Sequence, residues 1–267
     1  MNQLSLFDMD VDTVLSGIKA SDIRLVSLPN DNIKVNDSVR PGLKDIWNAF
    51  MADGAMFGKH DIPFCPTTAK TLPSALITWE EAKAIYKKHI ALKKYDFTHD
   101  AYVCFYIDDQ KFDGPRGIWH DCKQALRVLR HFAGAITPDF STYQDFPEAI
   151  KIYATYRMRL YGYWLGKNGL PVINNVRWGT EETFDYCFEG IPQNSIVAIG
   201  TVGGGPRKLI NRERFEAGLF AMVKQLQPHT ILVYGSARGA CFDKLRSRGI
   251  NIIFFSSKTA QVFEGRE

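Results

Sequence analysis

The sequence lacks the features of a membrane protein or a secreted protein. None of its apolar stretches reaches the roughly 18 uninterrupted residues that suggest a membrane-spanning helix. Its first residues have neither the basic start nor the long apolar stretch of a secretory signal. The five cysteines are an odd number, widely spaced and without a CxxC pair, which is typical of reduced thiols and not of a disulfide framework or a zinc knuckle. We therefore expect a cytoplasmic protein with no membrane partner.

The common catalytic and nucleotide-binding motifs are missing as well. The six histidines are dispersed, with no HxH or HExxH spacing for a metal. The glycine-rich run at 203–208 is followed by no GK[ST] and lacks the GxGxxG spacing, so it matches neither a P-loop nor a dinucleotide-binding fingerprint. Ser236 is not flanked by the GxSxG pattern of a hydrolase nucleophile. No single motif therefore assigns a reaction to this chain.

The composition is that of an ordinary globular protein. The chain has 267 residues, of which 45% are hydrophobic and 23% charged, so it can bury one large α/β core or a core with an appendage. Its net charge of +4 is unevenly spread, because residues 207–267 contain 11 basic and 5 acidic side chains. This basic segment suits a phosphate or polyanion partner, and it equally suits a solvated helical face.

After residue 100, short apolar segments alternate with helical patterns. The predicted strands are 102–107, 135–137, 172–176, 196–201, 231–234 and 252–255. The predicted helices are 119–132, 147–165, 212–226 and 237–248. Nearly continuous apolar strands that alternate with helices are typical of a buried parallel sheet. We predict an α/β fold of repeated βα units with a mainly parallel sheet, either (βα)₈-barrel-like, which the number of strands slightly favours, or open and doubly wound.

The N-terminal part of the chain is less regular. Residues 1–12 are polar and acidic around one apolar group, which is typical of a flexible arm. Residues 13–100 are interrupted by prolines and Asn-Asp pairs, and we interpret them as an irregular and helical region packed on the core. Within this region Thr78 and Glu81 have the capping-box spacing that begins a helix. The α/β core domain is then residues 101–267.

Acidic residues follow two of the predicted strands. Asp108 and Asp109 end the first, and Asp139 ends the second. The carboxyl ends of parallel strands meet at one edge, where ligands bind in such folds. The three carboxylates are our candidate catalytic residues, because they can divide the roles of acid and base, and Asp108 with Asp139 is the candidate site for Mg²⁺. Each can instead be a turn or capping residue, since aspartate is common in turns.

Further polar and glycine residues follow the same strand ends. Glycines let backbone amides approach an anion closely, and arginines supply charge. A plain flexible turn is the alternative for each glycine segment. The candidate ligand-binding residues are Ser141, Arg177, Trp178, Thr201, Gly203, Gly204, Arg207, Gly235 and Ser236.

The helix predicted at 147–165 combines aromatic residues with Arg157 and Arg159. Aromatic side chains interleaved with arginines can stack the bases of single-stranded nucleic acid. The same residues recur at three- and four-residue steps, however, which is the spacing of a helix face packed in a core. We interpret this stripe as core.

The first residues of the chain resemble a short docking peptide. Gln3-Leu4-Ser5-Leu6-Phe7 is similar to the segment by which bacterial polymerases and repair proteins bind the sliding clamp. In such a peptide Gln3 hydrogen-bonds at the rim of the pocket, and Leu4, Leu6 and Phe7 fill an apolar groove. The resemblance implies that the bacterial sliding clamp is a partner. A terminal strand packed on its own domain is the alternative.

Four segments in the second and third quarters of the chain stand out together, namely FYIDD at 105–109, TPDFS at 137–141 with Tyr143, the Tyr156-Arg157 helix, and VRW at 176–178. In these segments about half of the chain resembles an uncharacterised family of bacterial and phage proteins, which is known only as a domain of unknown function. The resemblance carries no established activity. It implies a setting of phages and mobile elements, where functions in replication and defence are common.

Three functions are compatible with these observations. The leading hypothesis is a phage or mobile-element protein of DNA metabolism, linked to replication through the clamp, that binds a phosphate-bearing ligand such as DNA or a nucleotide at the strand ends. The second is a small-molecule hydrolase or transferase that acts on a nucleotide or sugar. The third is a non-catalytic binder of a host factor. The sequence leaves open whether the protein is an enzyme.

Overall fold

The computed structural model of the chain describes residues 24–25, 45, 47–202 and 209–258. These residues form nine β-strands and five α-helices. The strands are β1 (Arg24–Leu25), β2 (Met56–Phe57), β3 (Leu76–Thr78), β4 (His99–Cys104), β5 (Phe132–Ile136), β6 (Val172–Asn175), β7 (Ile196–Gly200), β8 (Thr230–Tyr234) and β9 (Asn251–Phe255). The helices are α1 (Trp79–Ala91), α2 (Cys122–Leu129), α3 (Glu148–Lys167), α4 (Leu209–Leu226) and α5 (Ala240–Arg246).

Seven strands form one parallel sheet whose spatial order follows the chain. The order is β3-β4-β5-β6-β7-β8-β9, and every neighbouring pair is parallel. Because each crossover steps in the same direction, the sheet curls into a half-barrel. The predicted α/β fold with a mainly parallel sheet is thus confirmed. Of the two forms that we considered, the closed barrel is absent among the described residues, since β3 and β9 are both edges. The sheet is open, as in the other form, but it is not doubly wound, because the strand order never reverses.

The two faces of the sheet pack differently. Alternate residues of a strand point to opposite faces. Val103 and Phe105 lie in a buried cluster with residues of α1, α2 and α3, while Tyr102, Cys104 and Tyr106 lie in a cluster made largely of strand residues. Residues of α4 and α5 pack on the later strands in the same way as the first helices pack on the earlier ones. The helices therefore cover one face, as the single direction of winding requires.

Local sequence signals begin and support the helices. The Thr78 hydroxyl accepts a hydrogen bond from the Glu81 amide at 3.4 Å, and the Glu81 carboxylate accepts one from the Thr78 amide at 2.8 Å, which is the predicted capping box at the start of α1. In α3, Tyr161 and Trp164 are buried in the core, as the helical spacing of the aromatic stripe indicates.

Part of the sheet lies before residue 101. The sheet begins with β3, which lies inside the segment 13–100 that we assigned to the irregular N-terminal region. Three apolar or β-branched residues are too few to produce a periodic pattern, so this strand had no signal in the sequence. The predicted arm, residues 1–12, lies outside the described residues. None of the described helices is long and apolar enough to cross a bilayer.

Candidate functional site

An arginine and a carboxylate meet where β5 and β6 end. Asp139 follows β5, and Arg177 follows β6. The parallel pairing of the two strands brings both loops to the same edge of the sheet. The Arg177 guanidinium donates to Oδ2 of Asp139 at 2.6 Å, and the Asn175 amide donates to Oδ1 at 2.8 Å. Both oxygens of Asp139 are therefore engaged, and the carboxylate holds the guanidinium in place.

A buried tyrosine fixes the amide that supports Asp139. The Tyr106 hydroxyl, at the end of β4, donates to Oδ1 of Asn175 at 3.0 Å. The Tyr106 ring stacks on Tyr234 with centroids 5.2 Å apart, and it lies so close to Gly200 that a Cβ there would be 2.6 Å from the ring. Burial raises the pKa of Tyr106 well above its ordinary value, and the charge of Asp139 raises it further. Tyr106 is therefore a neutral donor in a fixed position.

Asp109 lies beside this group and is held by Ser141. Oδ2 of Asp109 accepts from the Ser141 amide at 3.0 Å, and Oδ1 accepts from the Ser141 hydroxyl at 2.8 Å. The pKa of Asp109 lies above its ordinary value, mainly because the carboxyl group is partly buried. The charge of Asp139 adds to this shift, whereas the two hydrogen bonds from Ser141 and the charge of Arg177 oppose it. The carboxylates of Asp109 and Asp139 thus both interact with the charge of Arg177. The convergence of the strand ends predicted that the two carboxylates lie close together.

Arg177 stays protonated because the carboxylates of Asp139 and Asp109 lie beside it. Burial lowers the pKa of Arg177, but the carboxylates of Asp139 and Asp109 more than offset this effect, so that its pKa lies above the ordinary value. The Arg177 and Asp139 side chains are 28% and 13% exposed. The ion pair is therefore shielded, yet the arginine still reaches solvent.

A cleft of about 290 Å³ opens next to the pair. Asp139 and Arg177 form part of its wall, and Arg214 near the start of α4 forms another part. Thr142 also lines the cleft; its side-chain hydroxyl is buried and has no hydrogen-bond partner among the described residues. A buried hydroxyl without a partner is unfavourable unless something else satisfies it. The cleft therefore combines guanidinium groups with an unsatisfied polar atom.

The apolar side of the cleft is set by Trp178. Its indole packs directly on α4 at Gly218, where a Cβ would lie 2.1 Å from the ring. Its ring centroid is 5.5 Å from that of Phe215, which also lines the cleft. Only glycine at position 218 leaves room for the indole. The loop after β6 therefore contributes both the arginine and the aromatic wall.

Asp108 does not join this group. Its side chain is 72% exposed, and its carboxylate lies 3.6 Å from the Lys111 ammonium on the same turn. Among the described residues, no group of three His, Cys, Asp or Glu side chains is arranged to hold a metal. Both carboxylate oxygens of Asp139 accept hydrogen bonds, one from Asn175 and one from Arg177. Mg²⁺ is coordinated by free carboxylate oxygens, so Asp108 and Asp139 do not fit this ion. Mg²⁺ binding by Asp108 and Asp139 stays a prediction.

The remaining ligand-binding candidates divide into two groups. Thr201 follows β7 and Gly235-Ser236 follow β8, and the two loops are joined where the Thr201 hydroxyl accepts from the Ser236 amide at 2.8 Å. Gly235 has a φ of +116°, and a Cβ there would lie 2.4 Å from the Thr201 hydroxyl, so its role in the structure is conformational. The other group lies outside the described residues and consists of Gly203, Gly204 and Arg207, together with the docking-peptide residues Gln3, Leu4, Leu6 and Phe7.

A buried arginine supports the site from behind. Arg159 of α3 donates to the carbonyl oxygens of Asn175, Cys187 and Glu189 at 3.0, 3.0 and 3.1 Å. Burial lowers the pKa of Arg159 to about 10. Three carbonyl partners replace the water that the guanidinium loses. Arg159 thereby fixes the backbone of Asn175, which in turn holds Asp139.

Sequence reasoning missed several residues of the site. Thr142 and Arg214 belong to no motif, and their only signals were a position after a strand and the basic character of the last sixty residues. Tyr106 belongs to the FYIDD motif and Asn175 lies at a predicted strand end, but neither was among the candidate site residues. Their roles depend on contacts between strands, which the linear sequence does not display.

The fold and the cleft define a class, namely α/β half-barrel proteins with an arginine-lined cleft at the carboxyl edge of the sheet. The chain belongs to the family described as Domain of unknown function (DUF4417), whose model matches residues 55–256. The expected membership in an uncharacterised phage-related family is thereby confirmed.

Two relatives come from mycobacteriophages. The chain is 31% identical over 202 residues to the Gene 1 protein of Mycobacterium phage D29, which covers 75% of this chain and 69% of the relative. It is also 31% identical over 201 residues to the Gene 1 protein of Mycobacterium phage L5, which covers 75% of this chain and 82% of the relative. No solved structure matches the chain. The family thus has phage members, and these names state no activity.

Proposed function

We propose that the protein binds a phosphate-bearing ligand in the cleft at the carboxyl ends of β5, β6 and β7. The observation that carries this proposal is that two guanidinium groups, Arg177 and Arg214, line the same cleft. Guanidinium groups bind phosphate through forked, charge-assisted hydrogen bonds. The beginning of α4 lies at the same edge, and amides at the start of a helix favour anions.

The two arginines have different roles in this proposal. Arg177 is neutralised by Asp139, so it contributes oriented donors and little net charge. Arg214 makes no ion pair among the described side chains; it donates to the Gln144 amide oxygen and is otherwise exposed. Arg214 therefore supplies the positive charge that attracts the anion. Thr142, whose buried hydroxyl has no hydrogen-bond partner among the described residues, lies in the same wall of the cleft.

Isothermal titration with inorganic pyrophosphate tests the proposal. Arg214→Gln is the variant of choice, because removing Arg177 would leave the buried carboxylate of Asp139 without its partner. Loss of one charged hydrogen bond, worth about 1.5–3 kcal/mol, corresponds to a Kd that is about 10- to 150-fold weaker. The matched control is Arg248→Gln, since Arg248 is exposed and lies after α5, at the opposite end of the sheet.

Two results would overturn the proposal. One is that pyrophosphate fails to bind the wild-type protein at low ionic strength. The other is that Arg214→Gln and Arg248→Gln weaken binding equally, because binding would then reflect only general attraction to a basic chain.

We further propose that the ligand belongs to DNA metabolism and that the chain is tethered to the bacterial sliding clamp. This proposal is supported by the phage relatives and by the resemblance of Gln3-Leu4-Ser5-Leu6-Phe7 to clamp-docking peptides. The purified chain should bind a bacterial clamp, and the double variant Leu6→Ala with Phe7→Ala should not. Equal binding by both proteins would remove the clamp from the proposal.

A hydrolase or transferase is the second candidate, and the observation that favours it is Asp109. This carboxylate is half-buried beside the cleft, and its pKa is raised by burial. Such a group suits the transfer of a proton. If a nucleotide or sugar phosphate is turned over, Asp109→Asn should abolish turnover while the Kd of the substrate changes little. Unchanged turnover in this variant would leave binding as the function.

A further inference from the structure

An aromatic ring projects into solvent at the mouth of the cleft. Tyr143 is 53% exposed and lines the cleft. Its ring is 5.9 Å from the Arg177 guanidinium, and Phe146 supports it in an edge-on contact with centroids 5.1 Å apart. The ring is therefore oriented by its neighbours while more than half of its surface is left to water. Aromatic side chains are enriched where a partner covers them, and Tyr143 differs from the other exposed aromatic residues in lying at this cleft.

The groups around Tyr143 can hydrogen-bond the edge of a ring. Oε1 of Gln144 accepts from Arg214, which leaves the amide N–H groups of Gln144 as donors. Asn211 and Thr180 also line the cleft and provide both donors and acceptors. The cleft thus contains a guanidinium pair for a phosphate, an aromatic face, and polar side chains that suit a heteroaromatic ring.

The size of the cleft limits what it can hold. Its volume of about 290 Å³ is near the lower end of small-molecule sites, which begin at roughly 300 Å³. One nucleotide unit is compatible with this space, whereas a double helix is not. Stacking of a base on an aromatic side chain tolerates any base, because each base presents a π-face.

We propose that the cleft binds a single nucleotide unit, with the base stacked on Tyr143 and the phosphate held by Arg177 and Arg214. This inference rests on the proposed function, since it assumes that the cleft takes a phosphate. It adds the chemical class of the ligand, a nucleoside phosphate, and makes Tyr143 the residue that selects it. The same nucleotide unit can be a free nucleotide or the unpaired end of a DNA strand.

The test compares a nucleotide with its own sugar phosphate. Thymidine 5′-monophosphate and 2-deoxyribose 5-phosphate are titrated into the wild-type protein, into Tyr143→Ala and into Tyr143→Phe. Stacking predicts that the nucleotide binds the wild-type protein about 5- to 150-fold more tightly than the sugar phosphate. Tyr143→Phe should keep this preference, and Tyr143→Ala should lose it. The matched control Tyr95→Ala, at a tyrosine that is 59% exposed and remote from the cleft lining, should keep it.

The titrations with pyrophosphate separate this inference from the one that it rests on. If pyrophosphate binding depends on Arg214 but Tyr143→Ala keeps the preference for the nucleotide, the stacking proposal is wrong and phosphate binding stands. If pyrophosphate does not bind, both fall. A single-stranded oligothymidylate that binds more tightly than the mononucleotide, with the same dependence on Tyr143, assigns the site to a DNA strand. Equal or weaker binding of the oligonucleotide assigns it to free nucleotides.

Discussion

The variant Tyr106→Phe isolates one hydrogen bond of the site. It removes the hydroxyl that donates to Oδ1 of Asn175 at 3.0 Å. It keeps the ring that stacks on Tyr234 and packs against Gly200. No cavity larger than one oxygen atom is created, so the cost of the substitution is almost entirely polar.

The expected cost follows from the burial of the partner. Asn175 is fully buried, so its side-chain oxygen would have no water to replace the lost donor. A buried acceptor without a partner costs about 1–3 kcal/mol in the free energy of unfolding. For a chain of this size about 2–4 °C of melting temperature corresponds to 1 kcal/mol. We therefore expect the melting temperature to fall by about 2–12 °C.

Thermal unfolding followed by circular dichroism measures this effect. The matched control is Tyr95→Phe, which removes the same hydroxyl from an exposed tyrosine and should change stability by less than about 0.5 kcal/mol. If Tyr106→Phe melts at the wild-type temperature, the link from Tyr106 through Asn175 to Asp139 is not a stabilising feature of the fold, and the reasoning is refuted.

Two further predictions concern Asp109 and Arg159. Burial raises the pKa of the Asp109 carboxyl in the folded chain. The folded chain therefore binds a proton at Asp109 more readily than the unfolded chain does. As a result, acidification from pH 7 towards pH 4 stabilises the folded state through this group. The melting temperature of Asp109→Asn should therefore be higher than that of the wild type at pH 7, and the difference should shrink as the pH falls. A difference in melting temperature that does not change with pH would contradict this prediction. Arg159→Lys should lower the free energy of unfolding by about 2–4 kcal/mol in urea, because one ammonium cannot serve three separated carbonyl groups. The exposed Arg130→Lys is its control, and equal stability of the two variants would count against a supporting role for Arg159.

Local patterns in the sequence were sufficient for the elements of the fold. Apolar runs predicted strands close to β4 through β9, and the capping box of Thr78 and Glu81 predicted the start of α1. These signals are local, because the periodic spacing of apolar residues in a strand or a helix is visible within the element's own sequence. Parallel pairing then followed from the alternation of the two types of element.

Local patterns in the sequence predicted only some of the residues of the site. The rule that ligands meet the carboxyl ends of strands correctly brought Asp109, Asp139 and Arg177 together. It did not distinguish Asp109 from its neighbour Asp108, because adjacent side chains leave a loop in different directions. Only the short turn at Asp109–Lys111 decides which carboxylate faces Ser141 and which faces solvent.

Near neighbours in the chain were thus enough to predict the class of fold, the order of its elements and the edge of the sheet where charge collects. Three further features depend on the packing of the whole domain: the sheet stays open, Arg214 and Thr142 reach the same cleft as Arg177, and Asp139 holds an arginine. These features depend on contacts between residues dozens of positions apart. Such contacts arise from the packing of whole elements, and no short stretch of sequence encodes them.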